Sequence, residues 1–280
     1  MNNKKSIVKL VVIIFIGVVV KLIQLPFLED PLSKVLHLRM IKNVATTPFA
    51  LVIIIMSYLL FSIIFIKFQI RINGNKIYKG FIYGVIFGFV WFYGMIEVGI
   101  IYNISLIKEI IYGLGDALPF IVMGILLGIF FGSSSKNKVN SVPLKRYVFA
   151  MFSIALIYLL GRYFSYIVIG ASSAYRIRPF ETFAWTLGNG LLISIIYYFM
   201  KDALHSYQLG KRAIIFSFVI FGTDWVLYNL FIPLIYNISL LQIVQSYLGR
   251  SIPDIFYACL GVFFSEKYII NSTVAPEKST

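Results

Sequence analysis

The chain has little charge, few acidic residues and few of the residue types that most enzyme chemistry needs. Only 13% of its 280 residues are charged, and Asp and Glu together number 11. A water-soluble domain carries about a quarter charged residues, so a globule of this composition could not cover itself with polar surface. The one cysteine, Cys259, lies in an apolar segment. It excludes an intrachain disulfide and leaves a thiolate metal site unsupported. The two histidines, His37 and His205, stand far apart in the sequence. No HExxH, GxSxG or GxxxxGK motif occurs, and no metal or cofactor is called for. The formal net charge is +14, but the basic residues fall in short loops with no long basic tract, which argues against nucleic acid as a partner.

Apolar length is what the chain has in abundance. Hydrophobic residues make up 60%, with 26 Phe and 19 Tyr, and the mean hydropathy is +0.89. Crossing a bilayer core of ~30 Å takes roughly 20 mostly apolar residues. Eight runs qualify or come close, at 7–25, 47–66, 81–101, 117–132, 147–166, 182–200, 213–235 and 252–265; the fourth and eighth are short. Lys4 and Lys5 precede the first run as in a signal peptide. No small-residue cleavage site follows, so it reads as a retained helix. The fold class expected is all-α, a polytopic integral membrane helical bundle with the lipid bilayer as its main partner.

The distribution of Lys and Arg sets the orientation. With both termini cytoplasmic, 16 basic residues fall on the inner side and 7 in outer loops, with Lys21 and Arg162 near outer helix ends. This is a positive-inside pattern with an even number of spans. Ile, Lys, Asn and Tyr richness suits an AT-rich bacterial source and a bacterial cytoplasmic membrane.

The chain also repeats itself. Shifted by 134 positions, residues 81–128 fall on 215–262 without a gap, with 16 of 48 positions identical. Tyr102-Asn103-Ile104-Ser105-Leu106 falls on Tyr236-Asn237-Ile238-Ser239-Leu240, Trp91 on Trp225, Val85–Gly88 on Val219–Gly222, and Pro119 on Pro253. The pattern predicts two four-helix units, 1–134 and 135–266, followed by a short cytoplasmic tail, 267–280. Four spans per unit make the repeats parallel, related by an axis along the membrane normal, with any substrate site between the halves. Ser105–Tyr112 and Ser239–Tyr247 read as short amphipathic helices at the outer interface.

Ionisable groups at membrane depth are costly and mark candidate sites. Asp224 lies mid-span in the seventh run and falls on Val90 in the repeat, with Tyr228 one turn on. Glu97 lies toward the outer end of the third run and falls on Phe231, about 10 Å shallower at 1.5 Å per residue. The two carboxylates form a candidate cation- or proton-binding pair, with Asn189 of Gly188-Asn189-Gly190 as a polar neighbour. Against this stand structural hydrogen bonds to Tyr228, Asn229 or Asn189, or salt bridges to Lys21 or Arg162. A second, basic set is Lys21, Arg162, Arg39, Lys42, Arg176 and Arg178, all toward the outer face. It suits an anionic solute or lipid head group, or snorkelling and pairing with Glu29, Asp30 or Glu181. Asp116 and Arg250 occupy equivalent repeat positions and are a candidate inter-repeat pair, with Asp116 otherwise a helix cap. Asp254 reads as a first-turn residue favoured by the helix dipole.

Three function classes fit, in this order. The first is a carrier or permease for a small solute or lipid-like anion. The second is a non-transporting accessory protein with a protein partner, such as a sensor, an immunity factor or a complex subunit. The third is a lipid-modifying enzyme using one of the carboxylates.

Overall fold

A computed structural model describes residues 3–24, 46–135, 143–235, 241 and 247–270. Among them the only non-helical pairing is a bridge between Gly74 and Ser135; the rest of the regular structure is helix. The helices are α1 (Asn3–Gln24), α2 (Thr46–Phe68), α3 (Lys76–Ile101), α4 (Leu106–Phe131), α5 (Leu144–Phe164) and α6 (Pro179–Leu204). Helix α7 starts as Leu209–Ile214, widens into π-type turns over Ile215–Phe221 and continues as Gly222–Ile235. Helix α8, Ile252–Ser265, is flanked by π-type turns at Tyr247–Ser251 and Glu266–Ile270.

Seven of these helices, α1 to α7, are long and apolar enough to cross a membrane, so the architecture is that of a multi-pass membrane protein. The regular part of α8 is 14 residues, and its flanking turns extend the helical path to 247–270. The outward side chains of α1, among them Ile7, Val8, Val11, Val12 and Phe15, are more than half or nearly half exposed. Such a face is stable against acyl chains and not against water.

The expected short fourth span and its separate interfacial helix are corrected by one continuous 26-residue α4 with Pro119 inside it. At 1.5 Å per residue it spans about 39 Å, so its first turns project beyond a hydrocarbon core. Proline removes one ladder hydrogen bond, and neighbouring helices hold such a helix together in a membrane. Asn103 works at the end of α3 rather than as a cap for α4. It adopts left-handed φ (54°), and Ile104 N donates back to Gly99 O at 2.8 Å, which closes the helix in a Schellman-type turn. The start of α3 is fixed by Asn75, whose side chain accepts from Ile77 N at 2.9 Å.

Helices α3 and α4 form the tightest pair. Gly80, Gly84 and Gly88 on α3 recur every four residues and mesh with Gly124 and Gly128, Phe120 and Ala117 on α4. A Cβ on Gly84 would lie 2.5 Å from Phe120 O, and one on Gly88 2.9 Å from Ala117 O. Small residues at this spacing let membrane helices approach backbone to backbone. At the 134-residue shift, Gly80 and Gly84 fall on Ile214 and Phe218, which lie in or beside the π-type turns of α7, so α7 lacks these two glycines.

Gly188 and Gly190 do not break α6, which runs unbroken through them. Gly188 faces the Tyr93 ring, and Gly190 lies against the Ala155 backbone, so these glycines serve close packing.

Candidate functional site

Two features stand out inside the bundle, a fully engaged ionic cluster and a carboxylate with almost no company.

The cluster is centred on Arg162 of α5, which has no exposed surface. Its Nη1 donates to Glu97 Oε1 of α3 at 2.8 Å, and its Nη2 to Asp254 Oδ2 of α8 at 2.6 Å. Nε donates to the Tyr158 hydroxyl at 3.2 Å, Nη1 also reaches the Tyr166 hydroxyl at 3.3 Å, and the guanidinium lies 4.9 Å from the Trp185 ring centroid. Arg250 Nη1 approaches Glu97 from the other side at 3.5 Å. Trp225 Nε1 donates to Asp254 at 2.9 Å, and Asn189 Nδ2 to Tyr158 at 2.8 Å. Two guanidinium and two carboxylate charges cancel. The planar fork of Arg162 suits this position because it binds two carboxylates on two helices at once. A narrow crevice lined by Glu97, Tyr166, Ser173, Thr182 and Trp185 reaches the cluster.

Asp224 of α7 is the opposite case. It is 6% exposed and accepts one hydrogen bond, from Trp91 Nε1 of α3 at 3.0 Å. Its second oxygen, Oδ2, has no hydrogen-bond partner among the described residues, and no described cation pairs with it. It lines a crevice between α2 and α7 together with Ser57, Leu60, Phe61, Ile64, Phe87, Thr223 and Leu227. Tyr228, one turn on, does not bond to Asp224. Its hydroxyl points to Met95 Sδ at 3.5 Å, and its ring sits between those of Trp91 and Trp225, with centroids at 5.3 and 5.8 Å.

The expected carboxylate pair is therefore split. Glu97 belongs to the Arg162 cluster, while Asp224 hangs from Trp91, six residues and about 9 Å deeper along α3. The basic outer set divides too. Lys21 is buried against Asp116, with its ammonium 5.4 Å from the Tyr112 ring centroid, and Arg162 is consumed by internal carboxylates. Arg178 pairs with Glu181 at 3.1 Å. Arg176 is exposed and lies over Tyr175. Arg39 and Lys42 lie outside the described residues. Asp116 is not a cap, being eleven residues into α4. It meets Lys21, and Arg250 meets Glu97.

Sequence reasoning missed four features. Asp254 does stand in the first turn of α8, but it is also fully buried between Arg162 and Trp225. Trp91 and Trp225 served only to mark the repeat, although an indole N–H at membrane depth needs an acceptor. Just past the end of α8, Glu266 is buried between Lys201 at 2.9 Å and Arg212 at 3.0 Å. Lys79 donates to the carbonyls of Gln69 and Ile72 at 2.7 and 2.8 Å. Among the described residues no group of three or more His, Cys, Asp or Glu is placed to hold a metal ion.

No protein-family model, curated protein or solved structure matches this chain.

Proposed function

We propose that the chain is a carrier for a small solute or lipid-like anion in a bacterial cytoplasmic membrane, with both termini inside and Asp224 as its ion-binding carboxylate. The observation that carries this reading is the orphaned Asp224 Oδ2, buried at membrane depth and facing a crevice between two helices. A carboxylate kept only for structure would be expected to have both oxygens engaged, as the cost of burying an unpaired charge is several kcal/mol.

In this reading the architecture is a 4 + 4 parallel repeat, α1–α4 and α5–α8. The helix neighbours support it. α1 lies on α4 as α5 lies on α8, and across the halves α2 lies on α7 as α3 lies on α6. The two inner turns meet as such an axis requires, with Asn73 Nδ2 donating to Asp202 Oδ2 at 2.9 Å. The Asp224 crevice lies on one of these cross-half contacts, where two halves that rock would open it. The crevice has room for about one water molecule, so the conformation is a closed one. The outer substrate contact falls to Arg176, Arg39 and Lys42, because Lys21, Arg162 and Arg178 pair with Asp116, Glu97 and Glu181.

The test needs no substrate. Ser57→Cys is made in a Cys259→Ala background, and a charged thiol reagent is applied to either face of oriented vesicles. A carrier exposes position 57 to each side in turn, and reaction from both faces is expected. Reaction from one face alone, or from neither, would sink the carrier reading and favour an accessory role.

A further inference from the structure

The crevice beside Asp224 holds a second regularity, in the direction its hydrogens point. Ser57 Oγ donates to Ile53 O at 2.9 Å, and Thr223 Oγ1 donates to Phe218 O at 3.4 Å. Both hydroxyls have spent their only hydrogen on the backbone. Neither hydroxyl therefore serves as a donor to Oδ2, which has no hydrogen-bond partner among the described residues, so a charged carboxylate there lacks the donors it needs.

We infer that Asp224 Oδ2 is a proton-binding site, taking a proton directly from water in the crevice and releasing it the same way. The step is a single protonation. A proton adds to Oδ2, the side chain passes from charge −1 to neutral, and no other bond changes. This deepens the carrier reading by naming the coupling ion and rests on it for transport, although proton binding itself does not.

The surroundings favour a proton over a metal cation. Hard cations want six or more oxygens. The crevice offers the carboxylate and two hydroxyls, and its remaining lining is Leu60, Phe61, Ile64, Phe87 and Leu227. The titratable and charged groups on the neighbouring elements leave the site without a competing charge. From α3, Tyr83 lies within electrostatic reach, but its hydroxyl donates to Phe61 O at 2.8 Å, and Trp91 is the one donor. α2 contributes Ser57. On α7 itself the neighbours are Thr223 and Tyr228. Arg250, from the turn before α8, is turned to Glu97. Arg162 is held by Glu97 and Asp254, and Lys21 by Asp116. With no described cation to hold the charged form, the site has to neutralise by taking a proton. Oδ1 keeps its indole bond in either state, so the change is confined to one oxygen.

The full chain in lipid nanodiscs, titrated from alkaline to acid while infrared difference spectra are taken, tests this. A protonated-carboxyl C=O band should grow on acidification, vanish in Asp224→Asn, return at a shifted position in Asp224→Glu, and follow the same course in sodium and in choline buffer. The Glu variant guards against misreading a misfolded Asn variant. A band displaced by sodium at fixed pH would overturn the inference in favour of a metal cation, and the lack of any Asp224-dependent band would overturn it outright. A proton band together with failure of position 57 to react from both faces would leave the proton site standing and remove the carrier.

Discussion

Trp91 and Trp225, 134 positions apart, use their indole N–H in the same way. The first donates to Asp224 at 3.0 Å and the second to Asp254 at 2.9 Å. The acceptors are not repeat mates. Asp254 falls on Phe120, whose ring packs 5.5 Å from Trp91, and Asp224 falls on Val90. Each tryptophan keeps a carboxylate, but Trp91 reaches from α3 to α7 and Trp225 from α7 to α8.

Trp91→Phe removes the one donor that Asp224 has. Loss of about 1–3 kcal/mol of stability is expected from the unsatisfied group, read as a lower melting temperature in detergent. Combining it with Asp224→Val, the residue that stands at the repeat position, should restore most of the loss. A double variant no better than Trp91→Phe alone would mean that the indole acts through packing.

Arg162→Met strands two buried carboxylates and is expected to cost about 3–5 kcal/mol. Arg162→Lys should recover little of this, since a point charge cannot bind both Glu97 and Asp254 along a planar fork. Adding Glu97→Gln and Asp254→Asn to Arg162→Met should bring the protein back toward wild-type stability. Equal melting temperatures for wild type and Arg162→Met would contradict the cluster.

Gly84→Leu places a side chain where Cβ alone would meet Phe120 O at 2.5 Å. The α3–α4 seam should part, with a cost above about 1–3 kcal/mol and a marked fall in folded protein recovered from membranes. Gly210→Ala, with nothing within 4 Å of the added carbon, should leave recovery unchanged.

Orientation can be checked with single cysteines in a Cys259→Ala background. A membrane-impermeant reagent added outside cells should label Arg176→Cys and spare Ser206→Cys. The reverse pattern would invert the topology.

The run of apolar segments was legible because lipid imposes a length on every helix that crosses it: among the described residues seven of the eight runs correspond to helices long and apolar enough to cross, and the eighth to the 14-residue α8. The continuity of α4 was not legible. Pro119 and Gly113 read as breakers in water, and nothing in the sequence says that the facing glycines of α3 will hold the helix straight through them. Glu97 and Asp224 were legible as buried carboxylates and Arg162 as a possible salt-bridge partner, but that Arg162 takes Glu97 while Trp91 holds Asp224 was not legible, because these contacts join helices distant in sequence. Asp254 and Glu266 escaped notice for a different reason. Each stands within a turn of a helix end, where charge normally reaches water, and only the packing of α5, α6 and α7 around α8 seals them off.

The π-type turns of Ile215–Phe221 set α7 apart from α3, which is regular throughout. In α3 the glycine seam locks one helix to its neighbour along most of its length, so that hairpin moves as a strut. In α7 the backbone is wound wide just before Asp224, and each turn there stores slack that a regular α-helix lacks. The irregular winding thus stands directly ahead of Asp224, on the helix that bears this carboxylate with its Oδ2 left unbonded among the described residues.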